Sequence, residues 1–423
     1  MSISPTSMFD EAQQLPPVLG WRLPAAGFVL YSIIGMVAHI LGLPGLLLIG
    51  AGLMFLCVLA AGSQSLARLR VDPSVAVVMS ILVLAVVATL YDPTHTIFHN
   101  LLKHVVICIM YVLIFSMGLR PIYSTPFCKV FLLTLLFMGA VSLMMPRGQE
   151  MDDVTRMSGF FVNANNLGLT MMTLLFLIDE NRDGVVMKVF VHAVIILFLI
   201  LSGTSGAILA YLGAMVFKSV VFLKPLVFHT SARTDRVQLI AVVLVLSLIC
   251  LGCLLPASLY QRVPLANRLV AQLSLIREEL PLAVSGYELD YARLSSVYGE
   301  SSGSGIWRIA HWRKGVDVLT AANSFQLLVG HGIGSSGLLL DKVPHNDYLR
   351  VLIEQGLLGL TLSLAFFAIV LQRIDSRHRY CVVAIALYCI CENNMDNLLF
   401  MSIFTFFLAS AQNRSLPHPL AAT

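Results

Sequence analysis

Apolar stretches, each near the roughly 20 residues that a helix needs to cross a bilayer, follow one another from residue 24 to residue 411. A water-soluble fold cannot bury so much: 58% of the 423 residues are hydrophobic, and the 12% that are charged are about half the share found in soluble domains. The reading is an all-α, polytopic membrane protein. Spans are expected near 24–41, 43–62, 74–90, 99–119, 127–145, 165–179, 186–201, 205–223, 237–256, 356–372, 379–392 and 397–411, about twelve in all. A long external segment, 257–345, falls between the ninth and tenth, and residues 1–423 otherwise read as one transmembrane domain.

Lysine and arginine between spans set the orientation. Arg68 and Arg70, Arg120 and Lys129, Lys218, Lys224, Arg233 and Arg236, and Arg373, Arg377 and Arg379 all fall in alternate loops, which are therefore assigned to the cytoplasm with both termini. The segment 257–345 is long enough to translocate whatever its charge. Asp10 and Glu11, with no basic run, make the N-terminus unlike a cleavable signal peptide, so the first span is expected to act as an anchor. The external segment has no cysteine and so implies no disulfide framework, and Cys250-x-x-Cys253 reads as packing within a span. The net charge of +4 serves orientation and makes no case for nucleic acid.

Two motif matches lack the context their chemistry needs. Gly332-x-Gly334-x-x-Gly337 spells a dinucleotide fingerprint without a βαβ unit, and a phosphate-cradling nest is the better reading. Gly299-Glu300-Ser301-Ser302-Gly303 spells a hydrolase elbow without the strand and helix that expose its serine.

Chemistry is expected at the mouth of the tenth span, in Val343-Pro344-His345-Asn346-Asp347-Tyr348-Leu349-Arg350. Asn346 suits a helix N-cap, which places His345 at the positive end of a helix, where an imidazole tends to stay neutral and able to accept a proton. Glu354, four residues after Arg350, is spaced to hold it. Arg156, Arg308 and Arg350, with Lys103, lie on the same side, and paired guanidinium donors at a lipid boundary suit a diphosphate. Arg313 is expected to pair with Asp317 and His192 to hydrogen-bond a neighbouring helix. Asn163, Asn165 and Asn166 are candidates for sugar hydroxyls, as is Asn346. Glu392, Asn393, Asn394, Asp396 and Asn397 crowd the turn of the last hairpin, where they are placed to meet an acceptor, with Glu392 an alternative base. Neither Asp-x-Asp nor His-Glu-x-x-His occurs, and no metal or other cofactor is expected.

His345-Asn346-Asp347-Tyr348-Leu349, followed by Glu354-Gln355-Gly356-Leu357-Leu358-Gly359, resembles the signature of the family of O-antigen ligases and O-antigen or exopolysaccharide polymerases. Ser158 to Asn166 is similar to the family's Gly/Asn-rich outer segment, with Ala164 where proline is common. Arg308 to Trp312 and Gly330 to Gly334 resemble the stretch before the histidine motif, so the likeness runs from about Arg156 to Gly359. In Leu201 to Ala207 the chain departs from it, with Ser205 where the family carries arginine.

The resemblance implies a fold related to the large lipid-linked-sugar glycosyltransferases and a metal-independent enzyme of the bacterial inner membrane. Its donor would be glycan on undecaprenyl diphosphate at the periplasmic face. Its acceptor would be a glycan repeat, in a polymerase of surface polysaccharide, or lipid A core, in a ligase. Flippase and chain-length regulator proteins would be its partners. His345 would be the general base and the arginines would hold the leaving diphosphate. A polysaccharide transporter or flippase is the non-enzyme alternative.

Overall fold

The computed structural model describes residues 17–40, 45–62, 72–95, 97–118, 123, 127–144, 164–228, 274, 277–281, 285, 304–395 and 397–412. Within them the regular structure is helical. The elements are α1 (Pro17–Ile40), α2 (Gly45–Gly62), α3 (Pro73–Tyr91), α4 (Phe98–Ser116), α5 (Phe127–Met144), α6 (Ala164–Met172) continued by a 3-10 turn (Thr173–Leu177), α7 (Val185–Ser202) and α8 (Ser205–Phe228). They resume as α9 (Ser304–Ala321), α10 (Ser324–Val329), α11 (Ser335–Leu339), α12 (Asp347–Arg373), α13 (Arg379–Tyr388) and α14 (Leu398–Gln412). The span expected at 237–256, together with Arg156, Asn163 and Asp396, lies outside the described residues.

The expectation of about twelve spans is overturned. Among the described residues four helices are long and apolar enough to cross a membrane: Pro73–Tyr91, Phe98–Ser116, Val185–Ser202 and Asp347–Arg373. The protein is a multi-pass membrane protein with several apolar spans, and the long segment 257–345 does not fall between a ninth and a tenth.

For three of the expected stretches, 165–179, 379–392 and 397–411, the reason is visible in the packing. The stretch expected at 165–179 is a short α-helix that tightens into a 3-10 turn, with Leu167 to Leu177 wholly buried. The stretch expected at 379–392 stops being helical at Tyr388, and α14 buries Phe400 and every residue from Ser402 to Gln412. These segments are apolar because they form the inside of the bundle. Sequence hydropathy does not distinguish that from facing lipid.

Packing around α14 makes the core. Phe400 and Phe404 stack at 5.7 Å, and Phe176 from the 3-10 turn stacks on Phe407 at 4.6 Å. On α3, by contrast, Val75, Val78, Ala85 and Ala88 are buried while Met79, Val83, Val86, Val87 and Leu90 lie open on the other side. A helix apolar on all faces yet half uncovered belongs in lipid.

Polar residues collect at the two ends of α12. At its C-terminal end Arg373 Nη1 donates to Asp72 Oδ2 at 2.7 Å, while Asp72 caps α3 by accepting from the Ser74 backbone N–H. Nearby Glu180, in the turn before α7, accepts from Lys218 Nζ at 2.6 Å and Tyr380 Oη at 2.7 Å and lies 3.3 Å from Lys188 Nζ. An open cavity of about 530 Å³ lies at this end, between Asp179, Arg182, Asp375 and Arg379.

The Glu180 cluster ties α7, α8 and α13 together and carries a pH signature. Burial raises the Glu180 carboxyl, but the charge and hydrogen bond of Lys218, helped by Tyr380 and Lys188, outweigh it and bring it down to about 2 from an ordinary 4.5. A folded carboxyl below its unfolded value stabilises fully above 4.5, and that contribution is lost as pH falls from there toward 2. Glu180→Gln is therefore expected to lower stability at neutral pH by about 3 kcal/mol and to flatten the decline on acidification. Thermal midpoints of the detergent-purified protein between neutral and acid pH check this. Parallel curves for both proteins would count against it.

Candidate active site

His345 arrives at its position by a strained route. Its φ is +49°, in the left-handed region that a residue with a Cβ enters at a cost. Asn346 is then extended and caps α12, its side-chain oxygen accepting from the Leu349 backbone N–H at 3.0 Å. The turn after α13 is clamped on this helix start. The Asp347 backbone N–H donates to the Cys389 carbonyl, and the Asn394 backbone N–H to the Asp347 carboxylate, both at 2.8 Å.

Those two constraints bring Glu392 against His345. Glu392 Oε1 meets His345 Nδ1 in a hydrogen bond. Its other oxygen, Oε2, accepts from Asn165 Nδ2 at 2.6 Å and lies 3.3 Å from Arg308 Nη2. Four segments thus meet at one carboxylate: the start of α6, the second turn of α9, the entry to α12 and the turn before α14. Burial raises the Glu392 carboxyl, but the His345 hydrogen bond, helped by the charge of Arg308, outweighs it and holds it below the usual glutamate range. The His345 side chain remains 31% exposed, against 10% for Glu392, so the ring is open to a ligand while its anchor is not.

α9 carries more than its arginine. Trp312 Nε1–H donates to the Pro344 carbonyl at 2.8 Å and fixes the loop that presents His345. The Trp307 ring stands edge-on to His345 at 5.2 Å and stacks on His311 at 3.9 Å. Burial, with Lys314 adding to it, keeps His311 below the usual imidazole range. Arg308 Nε is buried without a hydrogen-bond partner, while the side chain as a whole remains 19% exposed beside His345.

The sequence-derived residues therefore sort into two centres. His345, Arg308 and Asn165 converge on Glu392, and Asn346 caps the helix beside them. Arg350 and Glu354 form a second, buried centre one turn further on: Arg350 Nε donates to Glu354 Oε1 at 2.9 Å, and Ser336 Oγ donates to the same oxygen at 2.6 Å. Arg313 pairs with Asp317 at 3.2 Å, as their spacing predicts, and His192 Nδ1 lies 2.8 Å from Tyr211 Oη on the neighbouring α8. Ser205 begins α8, and its neighbour Gly206 abuts Cys391, next to Glu392.

Glu392 as the hub and Trp307 as its aromatic wall were not assigned those roles from sequence. An acidic residue in a turn between two apolar helices was the available signal for the first, and for Trp307 there was none. Among the described residues no group of three His, Cys, Asp or Glu side chains is placed to hold a metal. No family model matches the chain, and no curated protein matches it.

Proposed function

We propose that the protein is a glycosyltransferase of the bacterial inner membrane that polymerises surface polysaccharide from repeat units carried on undecaprenyl diphosphate. The observation that carries this reading is the meeting of an open imidazole, a partly exposed guanidinium and a side-chain amide at Glu392. His345 takes the proton of the acceptor hydroxyl as it attacks the anomeric carbon, with inversion. Arg308, with Arg156 and the more deeply set Arg350, balances the charge that grows on the departing diphosphate. Asn165 and Asn346, with Asn163, are assigned to the sugar hydroxyls.

The ends of α12 support the orientation. Lys188, Lys218, Arg373, Arg377 and Arg379 gather at the end away from Glu392, which the charge rule assigns to the cytoplasm with both termini. The Glu392 end then faces the periplasm, where flipped lipid-linked glycan is presented and where flippase and chain-length regulator proteins would meet the enzyme.

The decisive measurement is the glycan left on undecaprenyl diphosphate in a deletion strain. Single repeat units are expected. Long chains there would instead indicate a ligase that moves finished polymer to lipid A core. A transporter is favoured by one feature, the interruption of α12 at Gly356. Lipid-linked repeats that accumulate on the cytoplasmic side, shielded from a periplasmic glycan probe, would establish that reading and sink the enzyme.

A further inference from the structure

We infer that Glu392 is the positioning residue of the site: it holds His345 in the tautomer that carries its hydrogen on Nδ1, leaving Nε2 bare as the proton acceptor. The inference rests on the glycosyltransferase reading for its consequence, but its geometry stands by itself. Three donors, His345 Nδ1, Asn165 Nδ2 and Arg308 Nη2, surround one carboxyl group, and Asn393 adds its backbone N–H at 3.4 Å. Such a surrounding suits an ionised carboxylate, which accepts only. The hydrogen between Glu392 and His345 then belongs to Nδ1, and a neutral ring keeps its lone pair on Nε2.

The rest of the pocket keeps the ring from turning. Trp307 stands against one edge, and the left-handed backbone at His345 aims the side chain from a loop that Trp312 pins through Pro344. A ring flip would put a carbon where Nδ1 now meets Glu392 and would leave a buried carboxylate short of a donor. Sharing one carboxylate also fixes His345 and Arg308 relative to each other. Base and diphosphate holder are thereby registered by a residue that touches neither substrate.

The test uses the purified full-length protein with undecaprenyl-diphosphate-linked oligosaccharide, and the variants Glu392→Gln and Glu392→Asp. Glu392→Gln is expected to lower kcat by about 10²-fold with KM for the donor unchanged within about threefold, and Glu392→Asp to recover part of the loss. An unchanged kcat, or a loss confined to KM, would overturn the inference. The second readout needs no activity: ¹⁵N spectra of histidine-labelled protein, with the His345 signals identified by their absence in His345→Ala. Wild type is expected to show one neutral tautomer, bare at Nε2, and Glu392→Gln a mixture. Wild-type spectra with Nδ1 bare would sink the assignment even should the Gln variant fail to fold. If wild type transfers no glycan, the glycosyltransferase reading falls, while the spectra still decide the role of Glu392.

Discussion

His345→Ala is expected to abolish surface polysaccharide, with transfer by the purified protein falling about 10²–10⁴-fold, while protein abundance and the pool of lipid-linked repeat units are retained. On the proposed mechanism Arg308 holds the diphosphate, so donor affinity is expected to change little. His345→Gly is expected to be as inactive and yet more stable than His345→Ala by about 1 kcal/mol, because glycine enters the left-handed region without a Cβ penalty. On the proposed mechanism the backbone strain at φ +49° serves the placement of this one ring. Activities and thermal midpoints of the two variants, measured together, separate chemistry from strain. Normal polymer in His345→Ala would remove His345 as the base, and equal stability of the two variants would remove the strain argument.

Local signals carried the sequence reading far at this point of the chain. Asn346 as N-cap, Arg350 with Glu354, and Arg313 with Asp317 are all decided within four residues, and the structure has each as spaced. Glu392 reaches His345 across 47 residues and Asn165 across 227, distances over which one sequence offers no pairing rule. That Asp347 clamps the turn before α14 is equally non-local, and without that clamp the hub is an ordinary acidic turn. The count of spans failed for a related reason. Hydropathy reports that Phe176, Tyr388 and Phe404 avoid water, but whether neighbours or lipid cover them depends on tertiary packing, and here neighbours do. The second buried centre was half legible: the spacing of Arg350 and Glu354 was local, whereas Ser336, eighteen residues from Glu354, was not.

Gly356→Ala is expected to destabilise the protein by on the order of 4 kcal/mol, enough to prevent its accumulation in the membrane. Gly356 breaks α12 with φ +65° and ψ −167°, a conformation essentially reserved for glycine. The break leaves carbonyls of the preceding turn in need of donors. The loop after α10 supplies them, with His331 N–H donating to the Ile353 carbonyl at 2.9 Å and Gly332 N–H to the Glu354 carbonyl at 3.0 Å. That exchange requires two backbones to touch. A Cβ on Gly356 would stand 2.4 Å from the Leu328 carbonyl, and one on Gly330 would stand 2.4 Å from the Glu354 carbonyl, neither of which can rotate aside. Forcing them apart costs the two hydrogen bonds as well as the strain, and it moves the part of α12 that carries Asn346 and the entry to His345. Gly337→Ala is the control, since its Cβ would meet nothing closer than 3.6 Å. It should melt within about 0.5 kcal/mol of wild type. Membrane abundance and thermal midpoints of the three proteins decide the matter: a Gly356→Ala variant that accumulates and melts like Gly337→Ala would show that the break in α12 is dispensable, and the glycine-to-backbone contact with it.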